Sequence, residues 1–395
     1  YDVADQSLIV TRTKDGSIKA FHNSCLHRGT KLRVEDGRVA SFRCPFHGWR
    51  WDLNGELAEI PAQWDFPQVL HESDTDLPQA LVAVWCGFVF VNLDPEAMPF
   101  EKVADKLIEH FGRDFNMENR YKAFHAVKEV PANWKVCMEA FAEGYHVIAT
   151  HPQILEFAGD TNSEYSIWAD SPFVTRFING FGIQSPHLGD LSEQQVADAY
   201  LAFSARSARG SVEVPDGSSA REVVAEIFRS VMGPIYGKDL SNVSDSEMLD
   251  AHLYHLFPAF VPWAGVGQSL TYRWRPGPTP DTCYMDVLRM MPVPDGQERP
   301  APAPIQRLRL EQSWKEAEGM SGLADVFEQD MANLPKVQLG LKITAKNAKK
   351  GVSFGLYQEA RMRLIHRHID QCIIDGLNAD HRDVSALTPF ITPPG

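Results

Sequence analysis

The chain has 395 residues, 44% hydrophobic and 10% aromatic, which is enough for two domains with real cores and too apolar for a disordered polymer. A formal net charge of -14 excludes the basic face that a nucleic-acid partner would want. The longest apolar run, Leu81 to Leu93, falls well short of the roughly 20 residues of a membrane helix, so no membrane span and a cytoplasmic location are expected.

Residues 1 to 100 read as all-β. Short strands (SLIVTR, VASFRC) alternate with turn signals at Asp15-Gly16, Asp36-Gly37 and Asn54-Gly55. The run Leu81 to Leu93, with Gly87 in its middle, reads as strands or a hairpin of a buried sheet. Because the chain opens at Tyr1 and not at Met, its numbering is expected to begin inside a longer product. A polar, helical connector spans 100–119. A strand follows at 121–130, then one helix over 134–149 ended by His151-Pro152. Residues 191–250 have a helical pattern broken by a loop near 210–219. Strands resume at 267–274 and 282–293, a proline-rich connection covers 294–304, and helices over 322–340 and 354–377 finish the chain. Six cysteines in a chain of this length are no disulfide scaffold. Cys86, Cys137, Cys283 and Cys372 read as buried apolar thiols, and only Cys25 and Cys44 have a histidine close by.

Those two open the first metal-ligand pattern, Cys25-Leu26-His27 and, 16 residues after His27, Cys44-Pro45-Phe46-His47. Two short loops side by side would offer two thiolates and two imidazoles. Tetrahedral zinc accepts such a set. Zinc sites of this donor set usually keep their cysteines together and their histidines together, whereas here they are interleaved. Interleaving suits a Rieske [2Fe–2S] cluster, with two cysteines on one iron and two histidines on the other.

The second pattern is Asn133-Trp134-Lys135 followed by Glu143-Gly144-Tyr145-His146 and His151-Pro152. Histidines five apart do not share a face of an ideal helix, so their convergence on one ion needs a distorted or terminating helix. Pro152 supplies a reason for one. Glu143, three residues before His146, shares its face and lies within reach of its ring. On chemistry alone the pair is ambiguous, since a helical histidine pair is often incidental.

Both patterns have a family resemblance. NSCLHRG and CPFHGWRWDLNG resemble the Rieske signatures of ring-hydroxylating oxygenases, and NWK…EGYH….HP resembles the mononuclear-iron motif of the same Rieske non-haem iron oxygenase alpha subunits. The resemblance implies Cys25, His27, Cys44 and His47 as cluster ligands, His146 and His151 as iron ligands, and Glu143 as the bridge between the sites, where the family often has Asp. A facial iron site needs a carboxylate as third ligand. The segment Phe327-Glu328-Gln329-Asp330, with Asn333 and Gln338 beyond, resembles the family's and carries that role to Asp330. Asp325 and Glu328 are local competitors that charge alone does not separate from it.

The implied fold is α+β. It comprises an all-β Rieske domain (1–100, lacking the family's N-terminal stretch), a connector (101–120) and a helix-grip (START/Bet v 1-like) catalytic domain (121–395). In the last, an antiparallel sheet curves around a long C-terminal helix. The implied cofactors are the [2Fe–2S] cluster and mononuclear Fe(II). NAD(P)H acts indirectly, because the chain shows no flavin or nicotinamide fingerprint. The implied activity is mono- or cis-dihydroxylation of an aromatic or polycyclic substrate with O2, with oxidative O- or N-demethylation as the alternative. Expected partners are a reductase, with or without a ferredoxin, a homotrimeric core in which electrons pass from His47 through Glu143 to His146, and, in some relatives, a small beta subunit.

Smaller features carry two readings each. Met138, Phe141, Ile154, Phe157, Phe177 and Phe257 are core or pocket lining, with the 191–250 helices as a lid. Arg176 and Arg273 are structural or a carboxylate clamp. Lys342, Lys346, Lys349 and Lys350 are a solvated face or a ferredoxin dock. His22, His366 and His368 read as structural or polar positions, not ligands. Two rival classes remain, a zinc-stapled binding protein without catalysis and a pure electron carrier.

Overall fold

A computed structural model describes residues 1–3, 5–69, 75–115, 117–204, 212–266, 270–320, 322–347 and 351–379. The chain divides into two units after Phe100.

The first unit contains β1 (Asp2–Val3), β2 (Gln6–Arg12), β3 (Ile18–His22), β4 (Phe42–Arg43), β5 (Arg50–Trp51), β6 (Leu57–Glu59), β7 (Gln79–Trp85) and β8 (Phe88–Asn92). They form a five-stranded sheet of order β1-β2-β3-β7-β8 and a three-stranded sheet of order β4-β5-β6, antiparallel throughout. Two of the three Asx-Gly signals turn a hairpin. Asp15 accepts from Ser17 N at 3.1 Å beside Gly16, and Asp52 accepts from Asn54 N at 2.8 Å beside Gly55. Asp36-Gly37 lies instead in the irregular stretch before β4.

The apolar run folds as the β7–β8 hairpin, closed by Cys86 and Gly87 at φ +49° and +81°, the signature of a primed turn. Its expected burial is corrected. Val82 and Val91 pack against Leu8, Ala20 and Ala80, but Leu81 on the other face, and Val84, Val89 and Leu93 on the same face as the packed valines, are exposed, because β8 is an edge strand and the covering reaches only part of the hairpin. The cysteine reading is corrected too. Cys137 and Cys283 are buried, Cys86 is half-buried in that turn and Cys372 is exposed on the last helix. The core of the first unit gathers Phe21, Phe42, Trp49 and Trp51 around Cys25 and Cys44.

The second unit is built on one eight-stranded sheet. Its strands are β9 (Arg120–Val130), β10 (Glu164–Trp168), β11 (Ser171–Asn179), β12 (Ala251–Leu256), β13 (Phe260–Ala264), β14 (Leu270–Pro276), β15 (Cys283–Pro292) and β16 (Gln306–Leu308), in the order β10-β11-β12-β13-β14-β15-β9-β16. It is antiparallel except at the edge, where β16 pairs parallel with β9. The helices are α1 (Phe100–Val103), α2 (Asp105–His110), α3 (Trp134–Glu139), α4 (Val147–Thr150), α5 (Glu193–Phe203), α6 (Ala220–Tyr236), α7 (Asp245–Leu249), α8 (Leu323–Asn347) and α9 (Ala360–Ala379).

Most of the segment read as a connector belongs to this second unit. His110 Nδ1 lies 2.8 Å from Tyr254 Oη, and the Phe111 ring packs on Tyr254. Capping boxes at Ser192/Gln195, Ser219/Glu222 and Ser244/Glu247 start α5, α6 and α7 by satisfying their first free amides. These helices form a separate apolar cluster in which Phe157 stacks on Tyr200 at 5.0 Å. The main core lies between α3, α8 and the face of β9, β14 and β15 that presents Phe124, Ala126, Tyr272, Trp274, Met285 and Val287. Among the described residues no helix is long and apolar enough to cross a membrane.

Two predictions follow from packing. A Cβ on Gly55, at φ +86°, would sit 2.3 Å from the Phe21 ring. Gly55→Ala is therefore expected to destabilise the protein by about 1–3 kcal/mol, read as a lowered denaturant midpoint. His255 is fully enclosed, its Nε2 3.0 Å from Pro258 O, and burial, helped by the nearby Arg361 charge, pushes its pKa down to about 3. Between its ordinary value of about 6.5 and about 3 only the unfolded chain takes up this proton, so stability falls as pH drops through that window, by at most about 1.4 kcal/mol per pH unit. His255→Gln should leave a shallower acid limb in the stability–pH curve than the unaltered chain.

Candidate metal centres

The first centre is built from two loops that close the same way. Cys25 O accepts from Gly29 N at 2.8 Å while Cys25 N donates to Thr30 O at 2.9 Å; Cys44 O accepts from Gly48 N at 3.1 Å while Cys44 N donates to Trp49 O at 2.8 Å. Gly29 and Gly48 hold φ of +76° and +80°, which a side chain would strain. The histidine is offset by one place, two residues after Cys25 but three after Cys44. Both cysteines are buried, whereas His47 is exposed and its ring lies 4.6 Å from that of His27, which stacks on Trp49. His27 Nδ1 is buried without a hydrogen-bond partner among the described residues.

Burial pushes the Cys25 thiol up, against the pull of the His27 and Arg28 amides. At Cys44 the same penalty is outweighed by the amides of His47 and Phe46, and the thiol falls below its ordinary value. Amides aimed at sulfur suit a sulfur that carries negative charge. Two inward sulfurs and two imidazoles, one with an orphaned nitrogen, fit a [2Fe–2S] cluster.

The second centre depends on a helix that does not form. The single helix expected over 134–149 is corrected to two, α3 and α4, separated by a turn at 140–146. A continuous helix would need Gly144 N on Ala140 O and His146 N on Ala142 O. Instead Gly144 N donates to Tyr165 Oη at 3.1 Å, His146 N donates to Glu143 Oε2 at 3.0 Å, and Ala142 O accepts from Arg361 Nη1 at 3.1 Å. Gly144 N, His146 N and Ala142 O thus each have a new partner, which offsets the cost of the break. Gly144 fits because Phe177 and the Asp160 carbonyl leave little room, a Cβ there lying 3.2 and 3.3 Å from them.

The break makes His146 the residue before α4 and His151 the residue after it, the latter at φ −125°. Their rings lie 5.1 Å apart. With Asp330 of α8 they offer three ligand atoms all within 4.8 Å of one another. Asp330 Oδ1 is 3.1 Å from His151 Nε2 and 3.7 Å from His146 Nε2. Glu143 Oε1 takes His146 Nδ1 at 2.8 Å, so its carboxylate grips both the ring and the backbone of that residue. His146 is raised above the ordinary histidine value, with burial opposing and the Glu143 hydrogen bond outweighing it. Two ring nitrogens and a carboxylate converging from one side, with outer hydrogen bonds to the rings, fit a facial iron site.

The competitors of Asp330 point elsewhere. Asp325 is an exposed partner of Lys315 at 2.6 Å, and Glu328 accepts from Ser313 Oγ at 2.7 Å and Trp314 N at 2.6 Å. Arg176 is held by Glu164 at 2.9 Å, and Arg273 by Asp286 at 2.9 Å, so both have structural partners. Of the lysine cluster, Lys342 is engaged by Asp281, Lys346 is exposed, and Lys349 and Lys350 lie outside the described residues. Met138 and Phe177 are buried in the main core, with Phe141 packed against it. Ile154 and Phe157 belong to the helical cluster, while Phe257 packs by His368. His22 ends β3, and His366 Nε2 meets Glu139 at 2.6 Å. The sequence reading passed over the roles of Tyr165, Arg361, Gln153 and Gln329. Only Gln329 had a local sign, its place next to Asp330.

Residues 115–374 match the family Ring hydroxylating alpha subunit (catalytic domain), and residues 1–70 match the Rieske [2Fe-2S] domain. The chain belongs to the alpha subunits of the Rieske-type ring-hydroxylating oxygenases. It is similar to the carnitine monooxygenase oxygenase subunit of Acinetobacter pittii (strain PHEA-2), 31% identical over 152 residues that make up 38% of this chain and 41% of that one. It is also similar to the biphenyl 2,3-dioxygenase subunit alpha of Rhodococcus jostii (strain RHA1), 29% identical over 155 residues, 38% of this chain and 33% of that one. The matched stretch thus spans well under half the length of these curated relatives. In fold it resembles the quaternary ammonium Rieske monooxygenase CntA (TM-score 0.60, 18% identity, 94% of this chain and 83% of that one). Naphthalene 1,2-dioxygenase from Rhodococcus sp. gives a TM-score of 0.55 at 20% identity, covering 92% and 82%.

Asp330→Asn is expected to weaken divalent-metal binding at the second centre by about 10-fold or more, whereas Asp325→Asn should leave it unchanged. Iron content per chain and a Co(II) titration check this; equal losses in the two variants would contradict the assignment.

Proposed function

We propose that the protein is the alpha subunit of a Rieske oxygenase that uses O2 and electrons from a separate reductase, directly or through a ferredoxin, to hydroxylate an aromatic or polycyclic substrate in the cytoplasm. Cys25, Cys44, His27 and His47 hold the cluster in this reading, and His146, His151 and Asp330 hold the iron. When bound, the cluster stores and passes single electrons and the iron offers open positions to oxygen. The observation that carries the reading is the grip of Glu143 on His146. A carboxylate on the ring Nδ1 leaves Nε2 as the lone-pair nitrogen, turned toward Asp330. Glu143 would also receive His47 of a neighbouring copy in a homotrimer, which gives the electron its path.

The substrate class rests on the aromatic wall beside Asp330. Phe327 lies one turn before it on α8, with the Phe141 and Tyr272 rings 5.7 and 6.0 Å from its own and Trp274 5.4 Å from Phe141. Packed into the main core, these rings keep water from that side of Asp330 and would offer a flat ring bound there an apolar neighbour. They also suit a cationic N-methyl group by cation–π attraction, and relatives named as carnitine and glycine betaine monooxygenases support N-demethylation as the second reading.

Oxygen uptake with a surrogate reductase, screened against aromatic acids, polycyclics and quaternary ammonium compounds with product identification, tests the proposal. Ring hydroxylation supports the first reading and formaldehyde release the second. A fully metallated, reduced protein that consumes no O2 with any of them defeats both. Glu143→Gln keeps an acceptor for His146 and loses the charge. It is expected to retain both metals and lower the single-turnover rate by about 10-fold or more; a near-normal rate would refute the bridging role.

A further inference from the structure

We infer that Gln329, paired amide to amide with Gln153, is a positioning residue that sets the ring orientation and tautomer of His151. This rests on the reading of His146, His151 and Asp330 as a metal site. Gln329 Oε1 lies 2.8 Å from His151 Nδ1 and accepts from Gln153 Nε2 at 2.8 Å, while Gln329 Nε2 donates to Gln153 Oε1 at 3.2 Å. In this reciprocal pair each amide nitrogen meets the other's oxygen, which leaves Gln329 Oε1 as the atom facing His151. An amide oxygen only accepts, so this contact draws the His151 proton to Nδ1, and in the neutral ring the lone pair is then on Nε2, 3.1 Å from Asp330 Oδ1. Two lone-pair atoms facing each other at that distance call for a cation between them.

The arrangement does more than cap a surface. Gln153 is exposed and Gln329 half-buried, while His151 beneath them is buried. Gln329 and Asp330 are consecutive on α8, and one turn on Asn333 Nδ2 reaches Thr150 Oγ1 at 3.3 Å. One turn of α8 therefore brings both the carboxylate ligand and the group that aims its neighbouring histidine. The two histidines are held by different chemistry, His146 by a carboxylate and His151 by a neutral amide.

The test uses the full chain with its cluster, stripped of mononuclear iron and titrated with Co(II), whose visible bands report ligand geometry. Gln329→Leu is expected to bind Co(II) about 10- to 100-fold more weakly with altered bands and an unchanged Rieske spectrum. Gln329→Glu, which keeps the acceptor, should restore most of the affinity and the original bands. Gln329→Leu binding like the unaltered chain, or Gln329→Glu binding as poorly as Gln329→Leu, would overturn the inference alone. An unaltered chain that binds no Co(II) would overturn the metal-site reading and the inference with it.

Discussion

The catalytic unit depends on keeping residues 140–146 out of the helix that their sequence invites. In an uninterrupted helix, positions 146 and 151 would point about 140° apart. Freeing the turn exposes backbone groups whose loss of partners would cost about 1–3 kcal/mol each if left buried and unpaired. Tyr165 from β10, Arg361 from α9 and Glu143 from within the turn take up those groups, so sheet, last helix and turn are tied at one place. Arg361 is the most demanding of them. It is fully buried, bonded also to Thr175 Oγ1 at 2.9 Å, and burial pushes it down to about 9. A guanidinium is kept in such a place only where its fork of donors is needed, here to hold a carbonyl and a hydroxyl in fixed relation.

The cluster loops were legible in the sequence because everything they need is local. Each supplies a cysteine, a histidine and a left-handed glycine within six residues, and the closing hydrogen bonds run between loop residues. The residues of the proposed iron site were half legible. His146, His151 and Pro152 are neighbours in sequence, whereas Asp330 stands far off among other acids. A physical signal for it was nonetheless present. The buried stripe of α8 runs Ala324, Phe327, Asp330, Leu334, so Asp330 alone among the local carboxylates occupies a core position of an apolar helical face. Asp325 and Glu328 fall off that stripe.

What remained hidden depends on distant partners. No alternation marks β12, because all six of its residues are buried, and a strand covered on both faces loses the period-two pattern. The β7–β8 hairpin showed its turn and its strands but not its exposure, since burial is decided by what covers a strand and not by the strand itself. A distorted or terminating helix was expected there, but the place of the break, at 140–146, was hidden for the same reason. The phenol and guanidinium that replace its hydrogen bonds come from elements far along the chain, and the local propensities of 134–149 speak only for the helix.

Charge gives the second centre its chemical character. Glu143 and Asp330 bring two carboxylates into a largely buried site, and among the described residues neither forms an ion pair with a lysine or arginine. Two uncompensated buried anions are costly. A divalent cation taken up by Asp330 and two neutral imidazoles would balance them. The amide of Gln329 and the carboxylate of Glu143 thus divide the work. One orients a ring without adding charge, and the other orients a ring and supplies the negative charge that the site needs for neutrality.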